Sequence, residues 1–379
     1  MASGRVRLGF IGGGRMAQVA HLRSYSKLAI LGECELVALA DLRLEHAREV
    51  GARYGVERVY NSHAEMLDKE QLDGVVAILP FDQHWAVLPD VYGRVKYVFT
   101  EKPVSVQADH GRELADLAAR HGCVHMVGYH KRADLGTEWL VSRLRDESRV
   151  SEMGPVRYVR LTVPAGNWEG GEGHGSVLVG DGRIAGSPGE DAPSGMPEDA
   201  GRAYRSFVNY YIHQVNLARY LCGETFRVVY ADATLRRCEE EVKTAAPALG
   251  LLCVGMSTSG ARIVLEMAPY VTERTWDEEV FVAMEKGYAR LRLPAPLARG
   301  QPGRVQWSQG VPGRCAPTVW EPVLPAVDAM EAQARRFVKV CRGEAPPLCG
   351  AAEAVEDLVV AEEYINAWHG AQTGPRCRS

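Results

Sequence analysis

Three groups of residues in this sequence have types and spacings suited to chemistry. The first is Glu101-Lys102-Pro103, which follows directly on the apolar run Tyr97–Thr100. A lysine fixed at a strand tip offers an ammonium that can stabilise an alkoxide as it develops on an alcohol losing hydride, best of all in a dry cleft. The second is Asn209-Tyr210-Tyr211-Ile212-His213. In a helix, positions 209 and 213 are one turn apart and project from one face. A hydrogen-bonded core histidine on an amphipathic helix would look the same. The third is Gly12-Gly13-Gly14-Arg15-Met16-Ala17, after the apolar run Val6–Ile11. It fits G-x-G-x-x-A, in which Gly12 permits a tight turn, Gly14 lets backbone approach a pyrophosphate, and Ala17 lets helix and strand pack closely. The phosphates would rest on free N–H groups at the head of the helix that Arg15 and Met16 begin.

Such residues need a scaffold that brings strand tips together. Through residue 128 the chain alternates apolar runs of strand length with amphipathic stretches. The runs Val6–Ile11, Leu36–Ala40, Gly74–Leu79, Tyr97–Thr100 and Val124–Val127 are apolar nearly throughout, as strands covered on both faces are. Helical segments such as Glu45–Tyr54 and Asp109–His121 lie between them, and right-handed crossovers then give a doubly wound parallel sheet, a Rossmann fold. From 129 the rhythm changes. A helix near Thr137–Arg145 precedes a strand at Val156–Val163, a Gly/Pro-rich loop over 164–202, and one long helix over Tyr204–Leu221. The runs Phe226–Leu235, Leu251–Ser257, Ala261–Met267, Glu279–Met284 and Tyr288–Leu293 predict an open, mostly antiparallel sheet. Helices at Ala326–Arg342 and Ala351–His369 close the chain. The expectation is α/β: an N-terminal Rossmann domain over 1–128 and a C-terminal α+β domain over 129–379.

Asp41 ends the second strand, somewhat later than the roughly 20 residues usual after the glycine motif. Its carboxylate can accept from both ribose hydroxyls and would repel a 2′-phosphate, which favours NAD over NADP. Arg43 could hold a 2′-phosphate, and a helix N-cap is the plain alternative for Asp41.

Two further motifs complete a pattern. Leu79-Pro80-x-x-x-His84 follows the fourth strand and Glu101-Lys102-Pro103 the fifth, both at carboxyl ends where open α/β sheets bind ligands. With the glycine turn they closely resemble the Gfo/Idh/MocA oxidoreductases, over nearly the whole chain. The resemblance implies NAD along the glycine turn, with Leu79, Pro80, His84, Glu101 and His130 among its contacts. It also implies that Lys102 stands beside the nicotinamide and the reacting hydroxyl, and that the peptide before Pro103 is cis. Relatives place Asp and His at the 209/213 spacing, where the His takes the hydroxyl proton. His213 matches and Asn209 departs, since an amide can orient an imidazole but cannot stabilise the imidazolium by charge. The implied reaction moves a hydride between nicotinamide and a ring hydroxyl of a sugar, amino sugar or cyclitol, with Lys102 and His213 meeting on one alcohol. Tyr129, His130 and Arg132 contact nicotinamide or substrate in relatives, or form a plain domain junction. Trp168 stacks on a sugar face or pins its loop, and Tyr210 lies beside the substrate. Homodimers or homotetramers are expected.

Composition narrows the rest. With 379 residues, 46% hydrophobic and 24% charged, the chain suits two soluble domains. A net charge of −4 argues against a general nucleic-acid binder. No apolar run approaches the roughly 18 residues that span a bilayer, and no signal peptide is evident, so a cytoplasmic address is expected. Nine cysteines without Cys-x-x-Cys or zinc spacing read as reduced packing residues, and no metal is expected. The 164–202 loop carries seven carboxylates, Glu169, Glu172, Asp181, Glu190, Asp191, Glu198 and Asp199. They are either a solvated acidic face or a field for a cationic amino sugar, as in aminoglycoside biosynthesis. Rival readings are an NAD-sensing regulator without turnover and an enzyme that uses tightly held NAD transiently.

Overall fold

A computed structural model describes residues 4–165, 168, 189–235, 249–267, 276–310, 313 and 316–373. They form two compact units, one from the described residues of Met1–Ala133, Glu172–Ser194 and Ala329–Val355, the other from those of Asp134–Gly171, Gly195–Asp328 and Glu356–Ser379.

The first unit is built on strands β1 (Val6–Ile11), β2 (Cys34–Ala40), β3 (Arg58–Tyr60), β4 (Gly74–Ala77), β5 (Tyr97–Glu101) and β6 (Val124–Gly128). They form one parallel sheet in the order β3-β2-β1-β4-β5-β6. The order reverses between β1 and β4, so the loops after those strands flank the crevice where such sheets take ligands. Crossover helices are α1 (Arg23–Ile30), α2 (Leu44–Tyr54), α3 (His63–Lys69), α4 (His84–Tyr92) and α5 (Ala108–Arg120), followed by the short α6 (His130–Ala133). One core holds Leu8, Phe10, Tyr25, Leu39 and Phe99, and the opposite face packs Val37, Val75, Leu88, Val98 and Leu114. Both faces are covered, which is why these strands read as unbroken apolar runs.

The second unit carries an eight-stranded sheet of β7 (Val156–Ala165), β8 (Phe226–Leu235), β9 (Leu249–Ser257), β10 (Arg262–Met267), β11 (Asp277–Met284), β12 (Gly287–Arg292), β13 (Arg304–Gln309) and β14 (Thr318–Trp320). Its order is β14-β13-β12-β11-β7-β10-β9-β8, antiparallel except where β7 pairs with β10. Alternate residues of β11 are buried, so this sheet turns one face to a core. The helices are α7 (Leu135–Leu144), α8 (Glu147–Met153), α9 (Glu198–Tyr210) and α10 (Ile212–Cys222), with α10 lying against β7. The chain closes with α11 (Ala329–Cys341) and α12 (Ala351–Thr373).

The fold class is the one the apolar runs imply, with β3, β13 and β14 added. One helix differs. The stretch expected as a single helix over Tyr204–Leu221 is two, because Tyr211 adopts φ −100° and ψ −4° and leaves the helical path between α9 and α10. Among the described residues, six cysteines (Cys34, Cys123, Cys222, Cys253, Cys341 and Cys349) are free thiols. Cys238, Cys315 and Cys377 lie outside the described residues, as do Glu169, Glu172 and Asp181 of the acidic loop. No helix among the described residues is long and apolar enough to cross a membrane.

Candidate active site

The glycine turn leaves β1 at the point where the strand order reverses. Gly12 has φ +92°, and a Cβ there would lie 2.3 Å from the Ile78 carbonyl oxygen that follows β4. Only glycine fits both the dihedral and the approach. The Gly13 carbonyl accepts from Gln18 Nε2 at 2.9 Å and lies 3.0 Å from His46 Nε2, while the Gly13 N–H donates to Asp41 Oδ2 at 2.9 Å. The turn is therefore held from both sides. At Gly14 a Cβ would meet nothing within 4 Å, so the backbone is open where a pyrophosphate would approach. Arg15 is exposed, and Met16 packs partly against the core below. This cradle fits a dinucleotide.

Asp41 does not cap α2, whose N-cap residue Arg43 makes no side-chain cap bond. Its Oδ1 accepts from the Arg43 N–H at 2.9 Å and Nε at 3.2 Å. Burial pushes the Asp41 carboxyl up, but the Arg43 side chain and backbone together with Gly13 N–H hold it below the usual carboxylate range. Asp41 is an anion at neutral pH, and it fastens the tip of β2 to the glycine turn.

The Lys102 loop is braced from two directions. His84, wholly buried at the head of α4, donates from Nδ1 to the Pro103 carbonyl at 2.9 Å, which ties the loop after β4 to the loop after β5. That bond makes His84 the Nδ1–H tautomer. Leu79 is half-buried and Pro80 exposed on the approach to it. On the other side, buried Glu101 accepts the Lys102 backbone N–H at Oε2 (3.2 Å) and meets His21 Nε2 at Oε1 (2.8 Å). The Lys102–Pro103 peptide is cis. Burial lowers the Lys102 ammonium below the ordinary lysine range, and the Glu101 carboxylate opposes that fall. Burial would raise Glu101, yet the His21 hydrogen bond, the His21 charge and then Lys102 hold it below its usual value. Buried His130 is pushed far down, first by burial and then by Lys131, Lys102 and His21. A cation, a carboxylate and neutral imidazoles thus stand together at the carboxyl end of β5.

Tyr129 and Arg132 are each 1% exposed. The Arg132 guanidinium donates to the Leu348 carbonyl at 2.8 Å and Glu353 Oε1 at 2.6 Å, and so fastens the segment before α12 to α6.

The second unit holds the other candidates. Asn209 is half-buried in the last turn of α9, Tyr210 is 44% exposed, and His213 is half-buried in the first turn of α10. Asn209 and His213 therefore sit on either side of the break at Tyr211 instead of along one continuous helix. α10 is anchored by Gln214 Nε2 to Glu278 Oε1 (3.1 Å) and by Asn216 and Arg219 to Asp357, which is wholly buried. These bonds fix the rotation of the helix that carries His213. Trp168 is 37% exposed, and its carbonyl accepts from Leu297 N at 3.3 Å.

Sequence reasoning missed two residues of the first unit. His21 gave no signal beyond being a polar residue in an apolar helix. Glu190 was read among the loop carboxylates, yet it is buried. Its oxygens accept from Ser105 Oγ, Val106 N–H and Gln107 N–H and face His110 Nδ1, at 2.7 to 3.0 Å.

Residues 6–129 match the family model described as an oxidoreductase family with an NAD-binding Rossmann fold. The chain is 27% identical to the rhizopine catabolism protein MocA of Rhizobium meliloti over 94% of its own length and 93% of that protein. It is 22% identical over 262 residues to a myo-inositol 2-dehydrogenase of Thermotoga maritima, covering 69% of this chain and 68% of that one. A solved NAD-binding oxidoreductase of Klebsiella pneumoniae superposes with a TM-score of 0.74 at 17% identity, across 97% of this chain and 98% of that one. At that identity the likeness speaks for the fold.

Proposed function

The chain belongs to the Gfo/Idh/MocA oxidoreductase family, and from that premise we propose that it is an NAD-dependent dehydrogenase acting on a ring hydroxyl of a sugar or cyclitol. Gly12, Gly14 and the Asp41 carboxylate would hold NAD, which would supply the hydride acceptor or donor. The observation that carries the reading is Lys102: a half-buried ammonium beside an ionised carboxylate, at the tip of the strand next to the crevice of an NAD-binding sheet. Such a group stabilises negative charge on the substrate oxygen more in the transition state than in the ground state. His213 takes the hydroxyl proton, and Asn209 departs from the Asp of relatives at the partner position. Tyr210, exposed beside them, and the exposed ring of Trp168 offer faces for a sugar. The dehydrogenase name of the Thermotoga relative supports the substrate class.

The finer assignment is an amino sugar or aminocyclitol of an aminoglycoside pathway. The loop carboxylates support it with one fewer charge than their number suggests, because Glu190 is consumed by its own unit. We place the protein in the cytoplasm, as a homo-oligomer formed through the second-unit sheet.

NADH formation with a panel of polyols, amino sugars and aminocyclitols tests the reading. Lys102→Ala should lower kcat by about 10²–10³-fold, the loss seen when one donor to a developing oxyanion is removed, with NAD affinity nearly unchanged. An undiminished kcat would remove Lys102 from the mechanism. Absence of NADH with every polyol would leave a nucleotide-binding protein without this turnover.

A further inference from the structure

The helix after the glycine turn opens at Arg15 and Met16 but does not continue as an ordinary α-helix. Ala17–Leu22 form a π-turn, and regular α-helix resumes only at Arg23. A π-turn holds an extra residue in one revolution, loosens the ladder of backbone bonds, and recurs at functional sites. Here the Ala20 carbonyl, inside the widened turn, accepts from Ser24 Oγ at 2.7 Å. The widened turn carries His21, 2% exposed, onto β5. Its ring lies 5.3 Å from that of Phe99, and Nε2 lies 2.8 Å from Glu101 Oε1. Phe99 and Glu101 are two apart on one strand and so face the same side of the sheet. One contact is packing and the other is polar. The polar one ends one residue from Lys102.

We propose that His21 is a positioning residue for Lys102, delivered by the π-turn and acting through Glu101. An ionised carboxylate has acceptors only, so Nε2 is the protonated nitrogen and donates. A buried carboxylate with that donor keeps its charge and its rotamer, and a fixed anion beside an ammonium keeps the ammonium protonated in a site that burial would neutralise. The groups that face this pair are Lys102 on the same loop, His130 and Lys131 from the segment after β6, and His84 from α4. Burial keeps His130 and His84 on the neutral side, which leaves Glu101 as the counter-charge that His21 controls.

The proposal rests on the reading of Lys102 as the group that stabilises substrate oxyanion, but its test does not. Lys102 Nζ is titrated directly in the full-length protein by brief acetic anhydride labelling across alkaline pH, with the labelled peptide quantified by mass spectrometry. Glu101→Gln removes the counter-charge and should move the Lys102 profile to lower pH by about one unit or more. His21→Leu should move it in the same direction, and the double variant should move it no further than Glu101→Gln alone. His21→Gln, which keeps an N–H donor near the position of Nε2, should restore the profile to within a few tenths of a unit. Should His21→Leu fail to fold, His21→Asn, whose amide falls short of Glu101, takes its place with the same expectation. An unshifted profile, a shift to higher pH, or equal effects of Leu and Gln would overturn the proposal. With a working substrate, His21→Leu should lower kcat about tenfold with KM for NAD unchanged, as loss of one hydrogen bond to a charged group implies. If no polyol is oxidised, the reading of Lys102 in turnover falls while the labelling result still decides the role of His21.

Discussion

Both oxygens of the Asp41 carboxylate are engaged by groups of its own chain. A carboxylate has about four acceptor sites, and here Gly13 N–H and Arg43 N–H take two at 2.9 Å, while Arg43 Nε and Nη2 lie further off at 3.2 and 3.5 Å. Ribose hydroxyls would displace the longer pair. Arg43→Ala should therefore leave NAD affinity unchanged or tighter while weakening NADP, as fluorescence titration with both nucleotides can read. A fall in NAD affinity would show that the guanidinium carries the ribose. The carboxyls of Asp41 and Glu101 are both held below their usual range, and a depressed carboxylate stabilises the native state above its unfolded pKa. That contribution is lost as pH falls through the native value, so chemical-denaturation midpoints should decline in acid below about pH 4.5. Glu101→Gln should flatten that decline, and an identical slope in the variant would mean that Glu101 is not ionised in the native state.

At the scale of elements, the sequence was informative where one physical signal dominates. Strands covered on both faces must be apolar nearly throughout, which made β1, β2, β4, β5 and β6 readable to within a residue or two. The three-residue β3, with Arg58 exposed and Val59 and Tyr60 half-buried, gives neither an apolar run nor a clear alternation. The break at Tyr211 was hidden because α9 and α10 both continue the apolar pattern, and periodicity does not register one residue leaving the helical path. The role of Glu190 was hidden for another reason. Its partners lie some 80 residues away, at the head of α5, where Gln107 as N-cap residue makes no side-chain cap bond. A loop carboxylate supplies what the local sequence lacks, accepting orphan N–H groups at the positive end of the helix. Removing it leaves those donors buried, so Glu190→Ala should cost about 1–3 kcal/mol in urea unfolding. A change within a few tenths would show that water replaces the carboxylate.

At the scale of the whole molecule, the decisive fact is that the nucleotide-binding unit borrows a helix from far along the chain. α11 places Ala334, Phe337, Val338 and Val340 in the same core as Leu8, Phe10 and Phe99, and the Phe99 and Phe337 rings lie 5.6 Å apart. Ion pairs bind the helix at its rim, Lys27 to Glu331 at 2.5 Å and Arg335 to Glu33. Of these four side chains Lys27 is exposed, Arg335 and Glu33 are half-buried and Glu331 is buried; pairs open to solvent on one side add little beside the hydrophobic contacts. Periodicity marked α11 as a helix but carried no information on which core it joins. Phe337 is wholly buried, and Phe337→Ala should cost about 3–5 kcal/mol of stability. Because NAD binds only the folded unit, it should recover about 2.7 kcal/mol at a hundred times its Kd. The measurement is a denaturation series of wild type and variant with and without NAD, with kcat compared where both are folded. The expected outcome is a large loss of stability, partial rescue by nucleotide and near-normal turnover. A variant as stable as wild type would mean that α11 lies outside the cooperative core of the nucleotide-binding unit.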